Sequence, residues 1–203
     1  MSLFKRLLNP NYKSDKERKN PKKSDHGKYY PEEKLPIDEK FTYNFNKNGG
    51  KFLYCENLEE VLESFDNILL ENDWYEKEVF CINDQLIDRF EGFNLTFNKK
   101  SSSAFFLSTC ESLVANNGSI LLSSNQIKEK KLHELPKNII IFATTSQFVE
   151  SISEGLRIIK NRSKNHIPTN ITAIQDFETE KEKDFMSYGS STKNLYLLLL
   201  EDL

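Results

Sequence analysis

The fold is decided by residues 138–143, NIIIFA, which the polar run TTS follows at 144–146. Residues 139–143 are apolar at consecutive positions rather than at every second one, which is typical of a strand buried on both faces of a sheet. Hydroxyl side chains then favour a helix start, and apolar residues recur at roughly helical spacing after it, at Val149, Ile152, Leu156 and Ile159. The stretch therefore predicts a strand followed by a helix that begins at Thr145 or Ser146.

Strands and helices alternate in both directions from this stretch. Further strands are predicted at 51–55, 79–82, 104–107, 171–174 and 195–200, with helices that carry Phe41, Val61 and Leu86 on their buried faces. The Asn117-Gly118 pair lies between two apolar runs and predicts a hairpin, because both residues tolerate positive φ. The pattern indicates an α/β fold with three αβα layers and a mixed, largely parallel sheet.

The length of 203 residues suits one domain, and 37% of the residues are hydrophobic, which is enough for a sizeable core. We assign this domain to residues 36–203. Residues 1–35 differ from it, since they are rich in lysine and poor in apolar side chains. We expect a flexible basic N-terminal arm there, which is either a solvated tail or a contact for an anionic partner.

Composition excludes several classes of function. The formal net charge of −3 gives no electrostatic reason to expect nucleic acid as a partner. The longest apolar runs are too short to span a bilayer, and the N-terminus lacks the apolar stretch of a secretory signal, so we expect a cytoplasmic protein. The three cysteines and three histidines are scattered, with no C-x-x-C, so we expect no metal, cluster or other cofactor. Glycine-rich nucleotide motifs are also absent from the sequence.

Polar residues that follow the predicted strands are the candidate ligand site, because ligands of open α/β sheets bind beyond the carboxyl ends of strands. The helix start at 144–146 offers free N–H groups to an anion, and the loop before Leu135 adds positive charge. We predict one shared pocket for a small anion, with these ligand-binding residues: Thr109, Glu111, Asn117, Gly118, Ser123, Lys131, His133, Thr144, Thr145 and Ser146. The alternative is that they are helix caps, turn residues and solvated loops.

Three segments resemble the LUD domain of lactate-utilization protein C. Residues 109–124, TCESLVANNGSILLSS, are similar to the family's acidic-x-x-Ile-Ala-x-Thr-Gly-Thr-Leu stretch. Residues 135–142, LPKNIIIF, are similar to its Leu-Pro and following strand, and residues 188–196, YGSSTKNLY, to its Gly-x-His-Gly-Pro-x-x-Leu close. The chain departs from the family pattern where Asn116 replaces an acid, Asn117 replaces the threonine, and 189–191 replace His-Gly-Pro.

The resemblance implies a fold related to ribose-phosphate isomerase, CoA transferases and formyltetrahydrofolate cyclo-ligase. It also implies a link to the oxidation of lactate to pyruvate, beside iron–sulfur partner proteins. Two functions stay open at this point. The first is an accessory or regulatory protein of lactate utilization, which binds a small anionic ligand. The second is a small enzyme acting on a carboxylate, acyl or phosphorylated molecule, with Glu111 as the one plausible general base at the hairpin and no catalytic residue assigned.

Overall fold

A computed structural model describes residues 35–163, 167–177 and 193–202. The predicted arm at 1–35 falls outside the described residues except for Leu35, and so does most of the third family-like segment. Ten strands are present within the described ranges: β1 Lys51–Cys55, β2 Glu78–Phe80, β3 Thr96–Asn98, β4 Phe105–Ser108, β5 Ser112–Val114, β6 Ser119–Leu122, β7 Asn138–Thr144, β8 Phe148–Val149, β9 Thr172–Ile174 and β10 Asn194–Leu200.

Five α-helices accompany these strands in the described ranges: α1 Ile37–Lys47, α2 Leu58–Asn72, α3 Asp84–Phe90, α4 Ser124–Ile127 and α5 Ile152–Arg162. Their starts follow from the sequence, since Asn57 caps α2, Asn83 caps α3 and Ser151 caps α5 through side-chain acceptors for backbone N–H groups. Three-residue 3₁₀ turns at Glu91–Phe93, Leu132–Glu134 and Thr145–Gln147 complete the described elements.

The central sheet has six strands in the order β1-β10-β7-β4-β2-β3, and every pair of neighbours is parallel. The central strands β7 and β10 are buried on both faces, which explains their continuous apolar runs. One face packs against α2 and α3 around the rings of Phe65, Phe90 and Phe105. On the other side Phe45 of α1 packs against Phe52 of β1. The predicted α/β class with helical layers around a largely parallel sheet is confirmed.

A second sheet holds the antiparallel part of the fold, in the order β8-β5-β6-β9. The predicted hairpin is its centre, since β5 pairs with β6 antiparallel across the turn that contains Gly118, whose φ is 66°. Helix α5 covers this sheet, where Val114, Leu121 and Val149 form a cluster with Ile158. The expected mixture of strand directions therefore lies in a separate sheet and not in the central one.

The predicted helix start at Thr145 or Ser146 is wrong. Residues 145–147 form a single 3₁₀ turn, and Phe148 and Val149 then form β8, which pairs with Leu113 and Val114 of β5. The helix begins only at Ile152, after its own cap Ser151. Pairing with the hairpin and the contact of Phe148 with the ring of Phe41 outweigh the helical spacing of the apolar residues.

No helix within the described ranges has both the length and the apolar character that a membrane crossing requires.

Candidate functional site

The polar edge at the carboxyl ends of β7 and β10 is held together by a group of hydrogen bonds around Asp202. Asp202 follows β10, and its carboxylate accepts hydrogen bonds from the Thr145 hydroxyl at 2.8 Å, the Ser146 backbone N–H at 2.8 Å and the Ser146 hydroxyl at 2.7 Å. Thr144 joins the group, because its hydroxyl lies 3.0 Å from that of Ser146. The Ser146 backbone N–H, which was predicted to bind an external anion, is thus bound by the chain's own carboxylate.

These contacts determine the charge of Asp202. Desolvation pushes its pKa up, but the hydrogen bonds from Ser146 and Thr145 outweigh that effect and lower the pKa. The carboxylate is therefore ionised over the physiological range. An anion that approached Thr145 and Ser146 directly would be repelled by Asp202.

A second polar group surrounds Glu111, which lies three residues after the end of β4 at Ser108. The Ser123 hydroxyl donates to the Glu111 carboxylate at 2.6 Å, and the Asn125 side-chain amide donates at 2.9 Å. Ser123 is fully buried and also caps α4 through its hydroxyl oxygen. The carboxylate of Glu111 is thus held by neutral donors, and it forms no ion pair within the described ranges.

Gln147 connects the ends of β4 and β7. Its amide donates to the carbonyl oxygen of Cys110 at 2.6 Å, and its carbonyl oxygen accepts from the backbone N–H of Thr144 at 2.8 Å. The two polar groups, around Asp202 and around Glu111, therefore belong to one edge of the central sheet. This edge holds six of the predicted site residues: Thr109, Glu111, Ser123, Thr144, Thr145 and Ser146.

The other four predicted residues lie elsewhere, so the prediction of one shared pocket is wrong. Lys131 and His133 precede β7, and neighbouring Lys130 lies over the ring of Phe80, near the amino-terminal end of the sheet. The seven residues of β7 separate that end from Thr144 by about 20 Å.

Asn117 and Gly118 lie at the hairpin tip against α1. The Asn48 amide donates to the carbonyl of Asn117 at 2.7 Å, and a Cβ placed on Gly118 would come within 2.4 Å of the Phe45 backbone nitrogen. Gly118 therefore serves the close approach of the hairpin to the helix.

The three cysteines are buried and free. Desolvation raises the pKa of the Cys81 thiol to about 11 and also raises the pKa values of Cys55 and Cys110. Their thiolate forms are thus disfavoured near neutral pH. In the described part of the chain, no three His, Cys, Asp or Glu side chains come together in a way that could hold a metal ion.

Sequence reasoning missed three residues at this edge, namely Asp202, Gln147 and Arg89. Arg89 projects from α3, and its guanidinium carbon lies 4.5 Å from the ring centroid of Phe142 in β7. Asp202 could have been found from its place two residues after a predicted strand, which is the same signal that pointed to 144–146. No comparable signal marks Arg89, because its partner ring is distant in sequence.

Comparisons with known proteins agree with this architecture. The model of the LUD domain family matches residues 39–199. Among solved structures, the crystal structure of a DUF162 family protein from Deinococcus radiodurans is similar with a TM-score of 0.56, at 14% sequence identity, over 81% of this chain and 96% of that chain. At this identity the likeness concerns the fold alone. Among proteins with curated descriptions, nothing matches the chain significantly.

Proposed function

The chain belongs to the LUD domain family, which is associated with lactate utilization, and on this basis we propose that it is a cytoplasmic accessory or regulatory protein of lactate oxidation. In this role it acts with iron–sulfur partner proteins that oxidise lactate to pyruvate, and it binds a small anionic ligand of that system. The observation that carries the proposal is the family match over residues 39–199.

The chemistry of the described residues supports an accessory role. The cysteines lie in separate buried positions: Cys110 after β4, Cys81 after β2 and Cys55 at the end of β1. They therefore do not come together as ligands of one iron–sulfur cluster. Raised thiol pKa values also make them poor nucleophiles. We therefore assign the transfer of electrons to the partner proteins.

The candidate ligand site of this proposal is the polar edge beyond β4, β7 and β10. Thr109 and Thr144 are partly exposed there, and Glu111, Ser123, Thr145 and Ser146 form the hydrogen-bonded surroundings. In parallel sheets this edge is where ligands bind. Lys131, His133, Asn117 and Gly118 are not part of it.

Reconstitution of lactate oxidation tests the proposal. The purified chain is assayed with lactate and an artificial electron acceptor, alone and together with iron–sulfur proteins of lactate utilization. We expect no acceptor reduction by the chain alone and a large increase in rate when it joins the partners. If addition of the chain left the rate of acceptor reduction by the partner proteins unchanged, this result would contradict the accessory role.

A second candidate function is a small enzyme acting on a carboxylate, acyl or phosphorylated molecule, and Glu111 is the observation that favours it. Its carboxylate is held in place by Ser123 and Asn125 and forms no ion pair within the described ranges, and a positioned carboxylate can serve as a general base. Oxidation of lactate, or turnover of an acyl or phosphorylated substrate, by the chain alone would favour this candidate. Loss of that turnover in Glu111→Gln would assign the base.

A further inference from the structure

Arg89 supplies a positive charge next to the polar edge. It lies on the exposed side of α3, while the Phe142 ring beneath its guanidinium is only 7% exposed. The carbon-to-centroid distance of 4.5 Å is within the range of a cation–π contact. Within the described ranges Arg89 forms no ion pair, so its N–H donors are available for a ligand.

The strand register places two hydroxyl-bearing residues beside Phe142. Ser108 pairs with Ile141, so Thr109, the next residue, comes beside Phe142. Thr144 is two residues further along β7, about 7 Å away, and alternation in a strand puts its side chain on the same face as Phe142. Leu200 pairs with Thr144 and packs against the core cluster of this face, which gives the crevice an apolar wall.

The chain topology also points to this crevice. After β2 the chain turns to α3 on one face of the central sheet, whereas after the neighbouring strand β4 it enters the second sheet. Neighbouring strands whose connections leave in different directions open a crevice at the carboxyl edge, and open α/β sheets bind ligands in such crevices.

The charges at the edge decide which ligand fits. The carboxylate of Asp202 is already bound by Thr145 and Ser146, and that of Glu111 by Ser123 and Asn125. Both carboxylates keep their charge, so they repel an anion near them and leave the position beside Arg89, which forms no ion pair within the described ranges. A guanidinium presents a planar fork of donors, which matches a carboxylate in a bidentate pair, and the aromatic ring beneath it restricts its position.

We propose that Arg89 recognises the carboxylate of a small organic acid in the crevice formed with Phe142, Thr109 and Thr144. The guanidinium binds the carboxylate, a threonine hydroxyl binds a polar group next to it, and Leu200 contacts the apolar remainder of the acid. This inference rests on the proposed function, because it names the residue that would bind the small anionic ligand.

The test is a titration of the isotope-labelled chain, followed by NMR shift perturbation, with lactate, pyruvate and inorganic phosphate as separate probes. We expect lactate or pyruvate to perturb resonances around Phe142 and Thr144. Arg89→Met should weaken this binding by about tenfold or more, since it removes a charged bidentate contact. Arg89→Lys keeps the charge but loses the bidentate geometry of the guanidinium, so its affinity should lie between those of the unsubstituted chain and Arg89→Met. Arg157→Met is the matched control, because Arg157 is exposed on α5 and its ion pair among the described residues is an i,i+3 contact to Glu154.

Four results would overturn the inference: no carboxylate binding by the unsubstituted chain, equal binding by Arg89→Met, an equal loss in Arg157→Met, or phosphate binding that depends on Arg89 and exceeds that of the carboxylates. Failure of the proposed function is distinguishable from these. A chain that binds carboxylates through Arg89 but leaves the reconstituted rate unchanged would contradict the lactate role alone, whereas normal stimulation by Arg89→Met would contradict the Arg89 site alone.

Discussion

Gly118→Ala adds only one methyl group, but it should destabilise the protein far more than such a small change normally does. A Cβ at this position would lie 2.4 Å from the backbone nitrogen of Phe45 and 2.5 Å from the carbonyl carbon of Asn44. Both contacts are with backbone, so no side chain can rotate away, and either the hairpin or α1 must move. The residue also has φ 66°, in the left-handed region that alanine adopts at a cost.

The expected magnitude follows from these two effects. The left-handed conformation costs about 1 kcal/mol for alanine, and forcing an extra carbon into a packed contact costs about 1–3 kcal/mol. The free energy of unfolding should therefore fall by about 2–4 kcal/mol. For a domain of this size, that corresponds to a decrease of roughly 4–16 °C in Tm.

Urea unfolding monitored by circular dichroism measures the difference, and Gly92→Ala is the control. No atom lies within 4 Å of a Cβ built on Gly92, so that variant should stay within about 0.5 kcal/mol of the original chain. If Gly118→Ala lost less than about 1 kcal/mol, or no more than Gly92→Ala, the close approach of hairpin and helix would be refuted.

Three further predictions concern titratable groups. Asp202→Asn should lower the free energy of unfolding by about 1 kcal/mol at pH 7. Because the folded pKa of Asp202 is lowered, this difference is present above pH 4 and should shrink as the pH falls through that pKa. Thermal melts across this pH range measure it, and a pH-independent difference would contradict the prediction. Lys193 is 4% exposed, donates to the carbonyls of Leu135 and Pro136, and has a pKa lowered by desolvation. Above the folded pKa of Lys193 the fold binds fewer protons than the unfolded chain, so stability should rise relative to Lys193→Met as the pH approaches about 10.4; parallel curves would refute this. A thiol reagent such as Ellman's reagent should label the three buried cysteines slowly at pH 8 and all three at once in denaturant, and fast labelling of the native chain would show that a thiol is accessible.

Local patterns predicted much of the fold. The apolar runs in β7 and β10 indicated strands because burial on both faces leaves no polar position within them. Val61 indicated the buried face of α2 because apolar side chains recur at helical spacing around it. These signals lie within a few residues of the element that they predict.

The elements that the sequence missed depend on distant partners. The β3 strand is a three-residue edge strand with no apolar pattern, and it forms because β2 lies beside it. The β8 strand contains only Phe148 and Val149, whose helical spacing with Ile152 was misleading, and the hairpin determines its pairing.

The candidate site could be predicted only as a set of strand ends. The sequence placed 144–146 and Thr109 after strands; in the structure Thr144 is the last residue of β7, residues 145–146 follow it, and Thr109 follows β4. It could not show that Asp202 occupies the donors of Ser146, 56 residues away, because that contact requires β10 to pair with β7. The same limitation led to the false pocket, since Lys131 and Thr144 are close in sequence but lie at opposite ends of a strand.

The order of strands in the central sheet delays the pairing of its first strand during biosynthesis. The β1 strand pairs with β10, and Lys51 and Tyr196 of this pair are separated by 145 positions. At about 5–20 residues per second, a ribosome needs roughly 7–30 s to cover that distance. During this time β1 has no neighbour in the sheet, and β7 also waits for β10 on one side. Unpaired apolar strands associate readily with other chains, so slower translation between β1 and β10 should increase aggregation of the nascent protein and its dependence on chaperones.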